Sequence, residues 1–337
     1  MNGYERTVKF VKGEPVDHPP FMPLAIEWVS RQCGLDYRDF IYKPDVRSKA
    51  YLEITDRYDF DAILPDADFS EQLEDFGQIP VWKESVGYAV EPIINSKEDL
   101  DKLVIPEIKP GTRQGNRIEI IKTIAAAKKK EKYIFGICVG PFTEYCNARG
   151  LKKAMKEMIK DPDTLRKGMQ IFFENGMNFI KAQMEAGADG IQIVEPNCSL
   201  ISPKFYEENI MPLHKAMVDE IQSHENGFAR IHVCGDTAHL MPYTLGTGSH
   251  IVDADSQVDL AKVAPLLGAE QVFCGNMNTA DELLNGTPDI FPEAVQRRVD
   301  ATNNRIILCS GCDVPPASPA ENIQAFHDAT VNARQPE

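Results

Sequence analysis

The chain has 337 residues, of which 43% are hydrophobic and 26% charged, and it carries a formal net charge of −15. This composition is ordinary for a globular protein and excludes extensive disorder, and the negative charge argues against a nucleic-acid partner. No apolar run approaches the ~20 residues that span a bilayer, and the polar first residues lack a secretory signal. We therefore expect a cytoplasmic protein without a membrane partner.

Eight short apolar runs alternate along the chain with longer stretches of helical spacing, which is typical of repeated βα units. The runs are "PFMPLA" (20–25), "FDAILP" (60–65), "YIFGICVG" (133–140), "GIQIVEP" (190–196), "ARIHVCG" (229–235), "HIVDADS" (250–256), "VFCGNMN" (272–278) and "IILCSGC" (306–312). Near-continuous apolar strands suit a parallel sheet that is covered on both faces. Eight of them predict an α/β fold in which residues 1–337 form a single (β/α)8 TIM barrel.

The stretches between the runs predict helices at roughly 44–58, 114–131, 151–186, 204–223, 237–245, 257–267, 292–302 and 318–331. Pro162 lies inside the third of these, where a proline should break or restart the helix. Between the second and third strands, residues 66–113 exceed a simple crossover. Because "IPVWKESVGYAVEPII" within them alternates like a hairpin, we predict a hairpin-containing insertion at about 66–113.

The candidate reactive residues lie at the carboxyl ends of the predicted strands, where barrel enzymes carry their chemistry. These ends hold Glu195, His232, Cys234, Asp253, Asn276 and Cys312. Alternation along the fifth strand sends His232 and Cys234 to one side, and barrel closure brings Cys312 across from them. Zinc accepts imidazole and thiolate ligands, and catalytic sites usually keep one exchangeable position. The pattern predicts zinc on His232, Cys234 and Cys312, with Glu195 as a displaceable fourth ligand.

Several of these residues also have simpler interpretations. Histidine and cysteine are both common in buried strands, so the H-x-C pair alone favours core packing, and the strand-end position together with Cys312 shifts the interpretation to a metal site. "CSGC" at 309–312 also has the C-x-x-C spacing of a redox pair, although the first cysteine lies inside a predicted strand. Asp253 and Asn276 are candidates for substrate binding, and they could instead orient His232 or cap the following helices.

The sequence resembles the uroporphyrinogen decarboxylase superfamily over nearly the whole chain. Among the stretches that carry this resemblance are "GPFT", "AGADGIQIVEP", "IHVCGDT", "VFCGNMNTADELLNGTP" and "CSGCDVPPASPAENIQAF". The H-x-C pair with a distant cysteine resembles the zinc-dependent cobamide methyltransferase branch of that superfamily. The resemblance implies a (β/α)8 barrel and zinc ligation by His232, Cys234, Cys312 and Glu195. It also implies a corrinoid (cobalamin) carried by a separate corrinoid-binding protein, and a small methylated substrate.

The same resemblance favours an O-demethylase reaction, in which the methyl group of a methoxylated aromatic passes to Co(I) of the corrinoid. A methylcorrinoid:thiol methyltransferase of the coenzyme M type would use the same ligands in the reverse style of reaction. A metal-free uroporphyrinogen decarboxylase is less favoured. Its arginine-rich N-terminal segment corresponds here to "PPFMPLAIEWVSRQCG", which offers only Arg31. A non-catalytic module would bind zinc without transferring methyl groups.

Overall fold

A computed structural model describes residues 1–66, 68–82 and 88–334. The strands are β1 (Ala62–Ile63), β2 (Pro80–Trp82), β3 (Tyr88–Val90), β4 (Tyr133–Val139), β5 (Gly190–Val194), β6 (Phe228–His232), β7 (Ile251–Ala254), β8 (Val272–Met277) and β9 (Ile306–Ser310). The α-helices are α1 (Gly3–Val11), α2 (Glu27–Gln32), α3 (Tyr37–Tyr42), α4 (Pro44–Tyr58), α5 (Glu71–Asp75), α6 (Arg113–Lys128), α7 (Pro141–Arg149), α8 (Leu151–Lys160), α9 (Pro162–Ala186), α10 (Pro203–Asn209), α11 (Met211–Gln222), α12 (Met241–Leu245), α13 (Leu260–Val263), α14 (Phe291–Ala301) and α15 (Ala320–Val331).

Seven strands form a parallel sheet in the order β1-β4-β5-β6-β7-β8-β9. The first predicted strand lies against both edges of this sheet. Phe21 forms a parallel bridge with Leu308 of β9, and the Phe21 carbonyl accepts a hydrogen bond from the Asp61 amide just before β1. The α/β class and the curled parallel sheet with surrounding helices therefore agree with the sequence prediction.

The prediction of eight strands is not confirmed. In the described residues the segment 20–25 makes a single bridge instead of a strand. Its composition gives the reason, because Pro19, Pro20 and Pro23 surround Phe21. Proline has no amide hydrogen and cannot donate to a ladder, so the segment can pair with its neighbours at only a few positions.

The helix predictions hold best where a capping or breaking residue marks the boundary. The predicted helix at 44–58 is α4, and the long stretch 151–186 divides at Pro162 into α8 and α9, as predicted. The stretch 204–223 also divides, into α10 and α11. Pro212 falls in the first turn of α11, where the missing amide costs no helical hydrogen bond.

The segment between β1 and α6 contains the hairpin-like sequence. β2 and β3 pair antiparallel, with Pro80 opposite Val90, as the alternation predicts. Residues 83–87, which join them, lie outside the described residues. The idea that 66–113 is an insertion into a barrel stays a prediction.

The sheet is buried on both faces, since all residues of β4, β5, β6, β8 and β9 are buried. Polar side chains in these strands are therefore buried as well, which is unusual for charged and amide groups. Gln192 of β5 and Arg230 of β6 are 0% and 1% exposed. Both belong to the site described below. No helix in the described ranges is long and apolar enough to cross a membrane.

Candidate metal centre

Three side chains from two strand ends meet at one point. β6 ends at His232, Cys234 follows two residues later, and Cys312 lies two residues beyond the end of β9. One ligand atom from each of the three lies within 4.8 Å of the other two. His232 is buried and both cysteines are partly exposed, so the group is accessible from one side. The structure thus brings together the three ligands predicted from the sequence.

The His232 ring is held by a carboxylate. Asp253 of β7 lies with Oδ2 2.6 Å from His232 Nδ1. Arg230 donates to the same carboxylate through Nε and Nη2, at 2.7 Å each, and Gln192 Nε2 donates at 3.3 Å. With Nδ1 directed at Asp253, Nε2 is the ring nitrogen left for a metal.

Alternation along β6 explains this arrangement. Arg230 and His232 are two residues apart, so both side chains point to the same side of the sheet. Asp253 is on the neighbouring strand β7, whose residues Ile251 and Val252 pair with Arg230 and Ile231. Burial raises the pKa of Asp253, but the Arg230 guanidinium and His232 outweigh it and the pKa is lowered. The carboxylate therefore stays ionised at neutral pH.

Hydrogen bonds link the side chains of His232, Cys234 and Cys312. Burial opposes protonation of His232, but hydrogen bonds with Asp253 and Cys312 raise its pKa to about 10. The hydrogen bond between the two thiols lowers the pKa of Cys234 and raises that of Cys312. A cation that replaces these protons would meet one imidazole and two thiolates. That donor set suits zinc, because two thiolates neutralise its charge and leave a fourth position open.

We call His232, Cys234 and Cys312 the metal group. They lie at the wall of a cavity of about 330 Å³. The residues that line it come from the strand ends, the N-terminal segment and the segment after β1. They are Leu24, Ile26, Tyr37, Asp66, Asp68, Phe69, Ser70, Gln78, Asn147, Gln192, Val194, His232, Cys234, Cys312 and Asp313. A volume of this size suits a small organic ligand.

Glu195, predicted as the fourth ligand, lies elsewhere. Its carboxylate is fully buried and accepts hydrogen bonds from the amides of Phe142 and Thr143 at 3.1 and 2.8 Å, at the start of α7. His214 Nε2 lies 3.3 Å from Glu195 Oε1. Gly140 makes this approach possible, because a β-carbon there would overlap the carboxylate. The structure assigns Glu195 to capping α7, and we correct the prediction accordingly.

The two predicted substrate-binding residues also have other partners. Asp253 orients His232, which is one of the alternatives that the sequence left open. Asn276 donates to the carbonyls of Asp255 and Val258 and accepts from Arg298 Nε at 3.0 Å. It ties β8 to α14 and does not line the cavity. A substrate role for Asn276 is therefore not supported.

The C-x-x-C interpretation does not match the positions of the two thiols. Cys309 is fully buried within β9, where its sulfur accepts a hydrogen bond from Arg230 Nη2 at 3.6 Å. Cys312 instead belongs to the metal group. All eight cysteines are free thiols.

Sequence reasoning missed Arg230, Gln192, Tyr37 and Asp313. Two of them carried a signal, because a charged or amide residue in the middle of an apolar strand is rarely buried without a partner. Arg230 and Gln192 both stand inside such runs. Tyr37 and Asp313 had no comparable signal, since they reach the cavity from α3 and from the segment after β9.

The fold and the site define a barrel-like α/β protein with a His-Cys-Cys metal group at the carboxyl ends of its strands. The family model of uroporphyrinogen decarboxylase (URO-D) matches residues 2–332. The chain therefore belongs to the uroporphyrinogen decarboxylase family.

Similar proteins fall into two groups within this family. The chain is 27% identical to methylcobamide:CoM methyltransferase MtbA of Methanosarcina acetivorans over 245 residues, which is 72% of this chain and 70% of that protein. It is also 27% identical to uroporphyrinogen decarboxylase of Trichodesmium erythraeum, over 95% of this chain and 93% of that one. A solved methyltransferase from Methanosarcina mazei has the same fold, with a TM-score of 0.88, 22% identity and 98% coverage of both chains. The likeness to MtbA supports the corrinoid methyltransferase branch, the likeness to the decarboxylase supports the family as a whole, and the solved structure supports the fold.

Proposed function

We propose that this protein is a zinc-dependent methyltransferase that moves a methyl group from a methyl ether to the Co(I) corrinoid of a partner protein. The favoured donor is a methoxylated aromatic compound, so that the reaction is an O-demethylation. Zinc is proposed at His232, Cys234 and Cys312. The observation that carries the proposal is that these three ligand atoms meet at the wall of a cavity of ligand size.

Bound at this group, zinc would supply Lewis acidity towards the ether oxygen, which otherwise makes a poor leaving group. The protein's own residues prepare that position. Asp253 holds the His232 ring so that Nε2 faces the cysteines, and Arg230 keeps Asp253 ionised. Apolar side chains, among them Leu24 and Val194, line part of the cavity, and an apolar surrounding strengthens electrostatic interactions near it.

The names of the relatives favour a second candidate. Proteins such as MtbA are methylcobamide:CoM methyltransferases, in which the acceptor is a thiol. A thiol would be activated at the same three ligands, because a metal lowers the pKa of a thiol that binds it. The ligand set thus supports methyl transfer with a corrinoid protein in either direction.

The decarboxylase alternative has less support from the site. A decarboxylase for a polycarboxylated tetrapyrrole needs cationic side chains near its substrate. Among the described residues that line the cavity there is no arginine or lysine. Arg31, the one arginine in the corresponding N-terminal segment, instead pairs with Glu27 at 2.9 Å.

Zinc content is the first test of the proposal. Purified protein, reconstituted under reducing conditions, should hold near one zinc per chain. Cys312→Ala should hold much less, and Cys138→Ala is the control because that buried thiol lies outside the group. Zinc-loaded protein should then transfer methyl from an aryl methyl ether to Co(I) corrinoid, as cobalt absorbance reports. A parent protein without zinc would overturn the proposal and favour the decarboxylase.

A further inference from the structure

Helix α8 (Leu151–Lys160) places a cluster of positive charge on an acidic protein. The chain has a net charge of −15, yet this helix, "LKKAMKEMIK", holds four lysines and one acidic residue. The lysines, which are all exposed, are Lys152, Lys153, Lys156 and Lys160. The acidic residue, Glu157, pairs with Arg149 at 2.6 Å. None of the four lysines forms an ion pair within residues 1–66, 68–82 and 88–334, so their charge faces solvent.

The other lysine-rich run of the chain, residues 128–132, shows the contrast. Lys128 pairs with Asp56 and Glu131, at 2.8 Å each. Lys132 pairs with Asp59 at 2.5 Å. The positive charge of that run is balanced inside the chain, whereas the charge of α8 is left for an external partner.

The spacing of the α8 lysines does not serve the helix itself. Lys152 and Lys156 are four residues apart, as are Lys156 and Lys160. Side chains at that spacing are neighbours on a helix surface, and like charges there are destabilising. Ile159, which is 77% exposed, follows Lys156 by three residues and therefore lies among the lysines. We call Lys152, Lys156, Ile159 and Lys160 the lysine face.

The opposite side of α8 is already covered by the protein. Ala154 is buried, and Met155 and Met158 pack against the hydrophobic core. Glu157 accepts a hydrogen bond from the Tyr145 hydroxyl at 2.5 Å. A helix that lies on a membrane inserts its apolar face, and here that face is occupied. The side that remains available carries lysines around one apolar residue, which favours a protein surface rich in carboxylates.

The α8 helix lies on the side of the sheet where the metal group is found. β4 ends at Val139 and α7 begins at Pro141, so α7 stands beyond the carboxyl end of its strand. Asn147 of α7 lines the cavity, and α8 begins two residues after α7 ends. α9 then starts at Pro162 and returns to the amino end of β5, as a crossover between parallel strands requires. A protein bound to α8 therefore lies beside the cavity.

We propose that the lysine face of α8 binds an acidic surface of the corrinoid-carrying partner and so brings its corrinoid to the cavity. This inference rests on the proposed function for the nature of the partner. Opposite charges speed the association of two proteins more than they strengthen the complex. That property suits a carrier that arrives and leaves with each methyl group.

A charge-reversed variant tests the lysine face by direct binding. Lys152→Glu/Lys160→Glu removes its positive charge, and it should stay folded because both new carboxylates lie four residues from Lys156. The control, Lys9→Glu/Lys122→Glu, reverses two exposed lysines of α1 and α6, outside α8. Fluorescence anisotropy at low ionic strength measures the binding of a fluorescein-labelled oligoglutamate peptide.

The peptide should bind the α8 variant at least about tenfold more weakly than the parent protein, and the control within about twofold of the parent. Equal binding to the parent and the α8 variant overturns the inference. Tighter binding of the parent to phosphatidylserine vesicles than to the peptide, or a parent dimer that the α8 substitutions dissociate, would show a different occupant and also overturns it.

Methyl transfer tests the identity of the partner. The ratio between the rate with corrinoid bound to its carrier protein and the rate with free cob(I)alamin should fall at least about tenfold in the α8 variant. It should stay at the parent value in the control. The parent ratio should also fall as salt is added, because salt screens exposed charges. A ratio that is unchanged in the α8 variant contradicts docking of the carrier at α8.

Failure of the two proposals can be told apart. A zinc-loaded parent protein that transfers methyl to neither form of the corrinoid overturns the proposed reaction. The peptide experiment needs neither zinc nor cobalt, so it still decides whether α8 binds carboxylates. Transfer to both forms, with the same ratio in the parent and the α8 variant, overturns the docking surface alone.

Discussion

Two buried histidine–carboxylate pairs lie in the described part of the chain, and they differ in the partner of the second ring nitrogen. His214 uses both nitrogens inside the protein, since Nδ1 lies 2.9 Å from the Tyr206 hydroxyl and Nε2 lies 3.3 Å from Glu195. His232 has one nitrogen against a carboxylate, with Nδ1 2.6 Å from Asp253 Oδ2. Its other nitrogen faces two thiols.

The comparison shows that burial and a carboxylate partner do not by themselves make a histidine functional. The histidine at the end of β6 opens onto a cavity, whereas His214 lies within α11 and is 0% exposed. Glu195 was a reasonable ligand prediction because it follows a strand end. Its carboxylate turns to α7 instead, where the amide donors at the helix start need an acceptor.

The largest expected effect on zinc affinity comes from removing one of the three proposed ligands. Cys234→Ala should lower zinc affinity by more than about 100-fold, because two protein ligands hold the ion less firmly than three. Competition with a chelator measures the affinity. Cys198→Ala is the control, since that thiol is buried outside the metal group. Equal affinities in the two variants would contradict the assigned site.

Zinc affinity should also rise with pH. The pKa of His232 is raised to about 10 in the metal-free protein, so below that pH zinc must displace its proton. The raised pKa of Cys312 acts in the same direction. We expect the affinity to increase about tenfold per pH unit for each proton displaced between pH 6 and 8. Calorimetry in buffers of different ionisation enthalpy counts these protons, and release of none would contradict the ligand set.

A smaller loss is expected when the orienting carboxylate loses its charge. Asp253→Asn keeps the size of the side chain but weakens its interactions with Arg230 and His232. Zinc affinity should fall about 10–100-fold, as is usual when the hydrogen-bond partner of a ligating histidine is changed. Chelator competition again gives the value. An affinity equal to that of the parent protein would show that the ring is held by packing alone.

The smallest effect on zinc affinity is expected at the His214–Glu195 pair. Glu195→Ala should leave the affinity within about twofold of the parent, because Glu195 lies outside the metal group. It should instead lower the free energy of unfolding by about 3 kcal/mol, since the amides of Phe142 and Thr143 lose a buried acceptor. Urea unfolding measures this change. Loss of zinc from a folded Glu195→Ala protein would show instead that Glu195 is a zinc ligand.

The sequence predicted the parts of the molecule that follow from local pattern. The apolar runs located seven strands of the parallel sheet, and Pro162 marked a helix break. The proximity of His232, Cys234 and Cys312 was predictable because the carboxyl ends of parallel strands share one face, and their role as zinc ligands stays a prediction. The first strand was overpredicted, because an apolar run rich in proline has the hydrophobicity of a strand without its amide donors.

What the sequence could not predict depends on side-chain direction and on contacts between distant segments. Both Glu195 and Asp253 are acidic residues near the end of a strand. The sequence does not show that the Glu195 carboxylate contacts α7 while that of Asp253 contacts His232. The cavity is lined by Asp66 and Asp68 from the segment after β1 and by Asp313 from the segment after β9, and these two segments are far apart in the chain. Arg113 and Arg117 of α6 pair with Asp68 and Asp66, and nothing in the sequence of that helix predicts these contacts.

The order of the three proposed zinc ligands along the chain has a consequence for biosynthesis. His232 and Cys234 leave the ribosome well before Cys312, which follows the last strand of the sheet. That strand is joined to the N-terminal segment, because Leu308 pairs with Phe21 and the Val314 amide donates to the Leu24 carbonyl. Ribosome-bound chains that stop before β9 thus hold only two ligands. Acquisition of the metal should therefore be one of the last events in maturation, and zinc content should distinguish finished molecules from truncated ones.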